Sequence, residues 1–280
     1  MMTLRNADVL LSIDPIRGGG ITRFCWRGID IFRHAAKSDP GPLGLSSFVL
    51  VPFSNRIENG RFCWQGRSVT VPPNRPGEAY PLHGLGWLSP WSQRLATPDR
   101  LVLEHDHVGD VWPFPYRAAQ DFQLLPAGFR HRLSLTNTGA FPMPAGLGFH
   151  PYFPRPGARL AASFDGAWET RPDGIPTTWS PLACMPTWFG EETIDTVFTG
   201  RRGPLAIHWP THSVTIEPSS GLAFTTIYCP SGADFFCVEP VSHITNALNR
   251  PGLASSGQQT LEPGACLMVS IDVLVERTEA

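Results

Sequence analysis

Charge is scarce in this sequence: Asp, Glu, Lys and Arg make up 16% of its 280 residues, against about 25% in ordinary soluble domains. The formal net charge is -2 and the basic residues are scattered, which excludes a cationic platform for nucleic acid or an anionic membrane. No apolar run approaches the roughly 20 residues that a membrane-spanning helix needs. The apolar stretch over residues 9–13 is too brief for a signal-peptide core. The cysteines, Cys25, Cys63, Cys184, Cys229, Cys237 and Cys266, contain no C-x-x-C pair. Without a secretory leader they are expected to be free, buried thiols in a reducing cytoplasm. A cytoplasmic protein without nucleic-acid or membrane partners is the expectation.

Helix-forming stretches are also missing. Glycine (27) and proline (29) together make one residue in five, against about 12% on average. Proline removes a backbone donor and glycine costs backbone entropy, so long helices are disfavoured. What is present instead is alternation at strand length. Over residues 267–276, Leu267, Val269, Ile271, Val273 and Val275 share one face at a period of two. Leu133 and Leu135 alternate with polar neighbours before the turn at 137–139, and Val214 and Ile216 do so before Pro218. Residues 224–228 and 235–239 read as two strands across the turn at 230–232. Short strands throughout predict an all-β antiparallel sandwich or barrel, and no linker divides residues 1–280, so a single domain is expected. Residues 72–81 and 168–192 are read as long surface loops of the kind that shape clefts. The 9 tryptophans and 17 phenylalanines suit core packing first and stacking on a sugar second.

Four segments set polar residues among glycines, prolines and aromatics: Asn55-Arg56-Ile57-Glu58-Asn59-Gly60, His83-Gly84-Leu85-Gly86-Trp87, Gly148-Phe149-His150-Pro151-Tyr152-Phe153, and Cys237-Val238-Glu239-Pro240 running on to Asn246 and Asn249. His150 and Glu239 each precede a proline, which biases both backbones towards the extended region. Glu239 continues the alternation of Phe235 and Cys237, so its carboxylate shares a face with apolar groups, and partial desolvation raises its proton affinity.

Other signals carry less. His105 and His107 could face one way as metal ligands, with Asp110 nearby, but no convincing further ligand follows. Gly18-Gly19-Gly20 lacks the helix that a phosphate loop needs and reads as a turn or a close backbone contact. No G-x-S-x-G nucleophile elbow is present.

The segments NRIENGRFCWQG, HGLGWLSPW, GFHPYF, IDTVFTG and CVEPVSHITNALN, in this order and spacing, resemble the aldose 1-epimerase family, from about Asn55 to the turn at 262–264. The resemblance implies a large antiparallel β-sandwich of the galactose mutarotase type, no cofactor and no metal, and a small-molecule sugar as partner, with the protein a monomer or homodimer. It implies Glu239 as general base and His150 as general acid. Arg56, His83, Asn55 and Asp195 are then the residues that hold sugar oxygens. Trp87 stands where hexose-phosphate epimerase relatives tend to carry an arginine, which favours a free aldose.

The chemistry suits these side chains. A base takes the proton of the C1 hydroxyl while an acid protonates the ring oxygen; the ring opens, C1–C2 rotates, and closure gives the other anomer. A carboxylate and an imidazole suffice near neutral pH. The alternatives are a hexose-phosphate 1-epimerase, with Arg201-Arg202 as a basic pair, and a carbohydrate-binding protein without turnover.

Overall fold

The computed structural model describes residues 1–35, 41–250 and 252–278. Among these residues the helical elements are five three-residue 3-10 turns; the rest of the regular structure is strand. No helix among the described residues is long and apolar enough to cross a membrane.

Two large antiparallel sheets make the sandwich. An eight-stranded sheet runs in the order Arg159–Ala161, Leu205–His208, His212–Pro218, Cys266–Arg277, Gly128–Asn137, Tyr116–Leu125, Arg100–His107, Ser92–Ala96. Its central strands alternate as the sequence predicts: Val269, Ile271, Val273 and Val275 are buried, as are Leu133 and Leu135. The inward-facing Gln120 is fully buried and satisfied, donating to the Gly18 carbonyl at 3.1 Å and meeting His131 Nε2 at 3.1 Å. The glycine run is indeed a close backbone contact: a Cβ on Gly18 would lie 2.3 Å from the Trp87 carbonyl oxygen.

The second sheet has eleven strands among the described residues. Its path is Met2–Arg5, Val9–Asp14, Gly20–Trp26, Ser47–Leu50, Gly148–Pro154, Phe235–Val241, Phe224–Cys229, Ile194–Thr199, Gly166–Thr170, Pro176–Pro181, with Ile29–Asp30 beside Gly20–Trp26. The last two strands correct the loop reading of 168–192. Pro176–Pro181 is an edge strand with most side chains exposed, so it lacks the alternation that reveals a half-buried strand.

The middle of this sheet is buried on both faces, which is why its strands read as continuous apolar runs rather than alternating ones. Phe149, Phe153, Phe236 and Val238 point into the core between the sheets. Phe48, Tyr152, Cys237 and Val241 belong to a second apolar cluster on the opposite face, with Leu82, Trp87 and Ile244. That second cluster carries the cleft described next. The cysteines are all free, but only Cys25, Cys229 and Cys237 are buried; Cys63, Cys184 and Cys266 are exposed, against expectation.

Candidate active site

The register of the central strands sets the site. Gly148–Pro154 pairs with Phe235–Val241 so that Gly148 faces Val241 and Tyr152 faces Cys237. The same register puts His150 opposite Glu239. Phe48 lies across from His150 on the other side, and Thr226 across from Glu239. Two residues along, Asp195, Tyr228, Cys237 and Tyr152 form a parallel row on the same face. Side chains two apart on a strand share a face, so both rows line one floor.

His150 Nε2 lies 3.3 Å from Glu239 Oε1. The imidazole packs against two aromatic rings, with centroids 4.5 Å from Phe48 and 4.8 Å from Tyr152 and interplanar angles of 28° and 24°. Both groups are almost wholly buried, at 5% and 2% exposure. Burial, and then the charge of Arg33, presses the His150 pKa down to about 3. Burial pushes the Glu239 carboxyl well up; the nearby Asp195 charge adds to this and Arg56 opposes it. His150 Nδ1 and Glu239 Oε2 are buried without a hydrogen-bond partner. Unsatisfied buried polar atoms are costly and point to function.

Two loops supply the wall. Asn55 and His83 both adopt left-handed backbone (φ 59° and 58°) and lock each other. The Asn55 N–H donates to His83 Nδ1 at 3.2 Å, and the His83 N–H donates to the Asn55 carbonyl at 2.9 Å. With Nδ1 accepting, a neutral His83 carries its proton on Nε2 and offers a donor. Burial keeps it neutral by holding its pKa well below the usual value. Gly84 must follow as glycine, since a Cβ there would sit 2.1 Å from the Val51 carbonyl oxygen. Arg56 Nη1 donates to Asn55 Oδ1 at 3.2 Å and stands 3.8 Å from Asp195 Oδ2, while Nη2 reaches Glu78 at 3.5 Å. Desolvation raises the Asp195 pKa, against the opposing charge of Arg56.

All six residues singled out in the sequence, Asn55, Arg56, His83, His150, Asp195 and Glu239, therefore line one cleft of about 280 Å³. That lies just below the range of about 300–1,000 Å³ for small-molecule sites. The cleft also includes Arg33, Arg75, Glu78, Tyr152 and Tyr228, which the sequence reading did not assign to it. Arg75 and Glu78 come from the loop over 72–81 read as shaping a cleft, and Tyr152 lies inside GFHPYF. No pattern surrounds Arg33. Asn246 and Asn249 prove to be scaffold: Asn246 Oδ1 accepts from the Glu58 N–H at 3.0 Å and from Asn249 Nδ2 at 2.8 Å. The Asn246 N–H donates to the Arg56 carbonyl at 3.0 Å, which pins the loop carrying Arg56.

His150, Cys237 and Glu239 bring their donor atoms within 4.8 Å of one another, the one group of metal-ligand type among the described residues. His105 and His107 do not form another. His107 Nε2 meets the Trp112 carbonyl at 2.6 Å, and both imidazoles pack on Tyr116. The Arg201-Arg202 pair lies outside the cleft: Arg201 Nη1 donates to the Gly203 carbonyl at 2.9 Å, and Arg202 pairs with Asp165.

An imidazole and a carboxylate side by side, ringed by donors and acceptors in a helix-poor sandwich, are groups that can exchange a proton and hydrogen-bond a polar ligand. The chain belongs to the aldose 1-epimerase family, whose model matches residues 3–270. It is 32% identical over 257 residues to the uncharacterized protein YphB of Escherichia coli K12, spanning 86% of this chain and 88% of that one. A solved structure from Clostridium acetobutylicum, a galactose mutarotase-like protein, covers 99% of this chain and 95% of its own at TM-score 0.84 and 21% identity. Galactose 1-epimerase from Lactobacillus acidophilus matches at TM-score 0.80 and 14% identity, covering 99% and 94%. At such identities the likeness is one of fold.

Proposed function

We propose that this protein is a mutarotase, interconverting the α and β anomers of an aldose with a free anomeric carbon. Glu239 acts as general base and His150 as general acid. Arg56, His83, Asn55 and Asp195 hold sugar oxygens. One observation carries the reading: the 3.3 Å separation of His150 Nε2 and Glu239 Oε1 on the cleft floor. The C1 hydroxyl and the ring oxygen are bonded to the same carbon, so they lie closer together than a hydrogen bond is long. An acid and a base that serve both at once must themselves be near neighbours.

Glu239 takes the O1 proton, the C1–O5 bond breaks as O1 becomes the aldehyde oxygen, and O5 receives a proton from His150. Rotation about C1–C2 presents the other carbonyl face. Attack of O5 on C1, with both proton transfers reversed, gives the other anomer. The partnerless Glu239 Oε2 and the Nε2 donor of His83 suit a ligand rich in hydroxyls. Arg56 supplies positive charge beside oxygens that become negative as the ring opens.

Polarimetry or NMR starting from pure α-D-glucose or α-D-galactose tests the reading. Equilibration should run faster than in buffer, and Glu239→Gln should lower the excess rate by about 10²–10⁴-fold while sugar still binds. A wild-type rate equal to buffer across hexoses and their acidic derivatives overturns it and leaves a sugar binder without turnover.

A further inference from the structure

Arg56 enters the cleft from a loop, and its contacts with Asn55 and Glu78 run along the edges of the guanidinium. A further contact comes from a distant part of the chain. Gly174 lies so close that a Cβ there would stand 2.7 Å from Arg56 Nη1, 3.0 Å from Cζ and 3.2 Å from Cδ. Its bare backbone is pressed along the whole end of the Arg56 side chain. Ordinary contacts between such atoms need about 3.5–4.0 Å. A methyl group at 174 and the guanidinium in its present place therefore exclude each other.

The turn that carries Gly174 joins the strands Gly166–Thr170 and Pro176–Pro181, with Gly174 itself at φ 81°. Inside the turn the Arg171 N–H donates to the Ile175 carbonyl at 3.0 Å, and the Gly174 N–H to the Arg171 carbonyl at 2.9 Å. Two side-chain bonds tie it to the loops of the site. Arg171 Nη2 donates to Glu58 Oε1 at 2.7 Å, and the Tyr80 hydroxyl donates to Asp173 Oδ2 at 3.0 Å. A side chain added at 174 would meet this hydrogen-bonded turn on one side and the far end of a flexible side chain on the other. The flexible end gives way. Its direction follows from what borders each space. Arg56 lines the cleft and Gly174 does not, while Asn55 and Asp195 border both the cleft and a void of about 10 Å³ beside Gly174. Gly174 thus stands behind Arg56, and displacement carries the guanidinium forward into a cleft of only about 280 Å³.

We propose that Gly174 is a positioning residue for Arg56: its missing side chain sets how far the guanidinium stands into the cleft, and so where Arg56 meets a sugar oxygen. That role rests on the assignment of Arg56 to sugar oxygens under Proposed function. It adds a residue outside the cleft that governs binding within it.

Gly174→Ala should move the guanidinium by roughly 1 Å, the shortfall from an ordinary contact. Misplacement on that scale costs up to about 10²-fold. Calorimetry with glucose and galactose on the full chain carrying Glu239→Gln should show Kd raised about 10–100-fold by Gly174→Ala, and kcat/KM of the chain that keeps Glu239 should fall by a like factor. Gly203 controls for backbone strain: it is also left-handed (φ 76°), lies outside the cleft and has open space where a Cβ would go. Gly203→Ala should lower the melting temperature as Gly174→Ala does and leave binding and turnover unchanged. In a chain carrying Arg56→Lys, which lacks Nη1, Gly174→Ala should lose most of its further effect. Gly174→Ala that binds and turns over sugar as Gly203→Ala does overturns the proposal, as does a loss that Arg56→Lys leaves whole. Should Gly174→Ala not fold, Gly174→Asn takes its place, since asparagine tolerates left-handed backbone and carries the same Cβ. Sugar binding that Gly174→Ala weakens through Arg56, with no turnover on any sugar, sinks the mutarotase and spares the positioning role. Turnover that Gly174→Ala leaves unaltered does the reverse, and a chain that binds no sugar loses both.

Discussion

The resting protonation of the His150–Glu239 pair makes a sharp prediction about pH. Burial holds His150 neutral, with a pKa of about 3, and holds a proton on Glu239 well above the usual carboxylate range. Between those two titrations the pair shares a single proton. The working form, an ionised Glu239 with a protonated His150, contains that same single proton and differs only in where it sits. The pair titrates as a unit, and the excess rate should follow the population of the one-proton form. On the acid side the rate falls only as the pair takes up a second proton, near pH 3. On the alkaline side it falls as pH rises through the elevated Glu239 pKa, by about tenfold per pH unit beyond it. Asp195 contributes to that elevation, so Asp195→Asn should move the alkaline limb to lower pH. The assay is kcat/KM for the excess rate over buffer from pH 4 to 9, with the spontaneous base-catalysed rate subtracted at each point. A rate that climbs with pH through this limb would mean that an ionised Glu239 and a neutral His150 form the competent pair. That result refutes the shared-proton argument.

Two further predictions concern the scaffold. Asn55→Ala places a methyl side chain on left-handed backbone and should cost about 1 kcal/mol, while Asn55→Gly should restore most of it; both remove the Oδ1 that holds Arg56, so both should raise KM. Thermal melts and kinetics on the two variants check this, and a KM recovered by glycine would show that only the backbone matters. Acid should destabilise the fold through His83, His131, His150 and His243, which are all buried with lowered pKa values. Their unfolded counterparts take up a proton below about pH 6.5, so the unfolded state binds more protons and stability falls with falling pH. The loss is up to about 1.4 kcal/mol per histidine per pH unit, over a window that runs down to about pH 3 for His131 and His150. Glu239 and Asp195, their pKa values raised, work in the opposite sense, as two carboxyls against these four histidines. Melting temperatures that stay level between pH 7 and 4.5 would contradict this.

Much of the architecture was legible because outer strands bury one face only. The alternation over 267–276 and around Leu133 and Val214 follows directly from that geometry. The central strands gave a different cue, polar residues next to prolines within apolar runs, and this located His150 and Glu239. What stayed hidden has physical causes. The strand Pro176–Pro181 exposes most of its side chains at a sheet edge, so no hydrophobic period marks it. Arg33 sits in an aperiodic stretch, and only folding brings it against Tyr152, more than a hundred residues away in the chain. Asn246 and Asn249 stood out for their chemistry, yet their side chains are spent on the loop that carries Arg56. A sequence shows which groups are unusual and leaves open which of them the backbone consumes.

The two prolines tie the fold to the site. Pro151 and Pro240 directly follow His150 and Glu239, and neither can donate a ladder hydrogen bond. Between their strands the pairing lapses there, from Gly148 opposite Val241 to Tyr152 opposite Cys237. A buried N–H left without a partner in such a lapse costs about 1–3 kcal/mol. Proline has no N–H to strand. It also holds the preceding residue in extended backbone, the conformation that sets His150 and Glu239 side by side on one face. The sheet can loosen its ladder beneath the pair while each side chain remains fixed by its own strand, by the outer neighbours Phe48 and Thr226, and by the aromatic rings packed on His150. Replacing either proline with alanine should therefore lower the melting temperature, because it frees the preceding residue's backbone and adds a buried N–H where the ladder has lapsed.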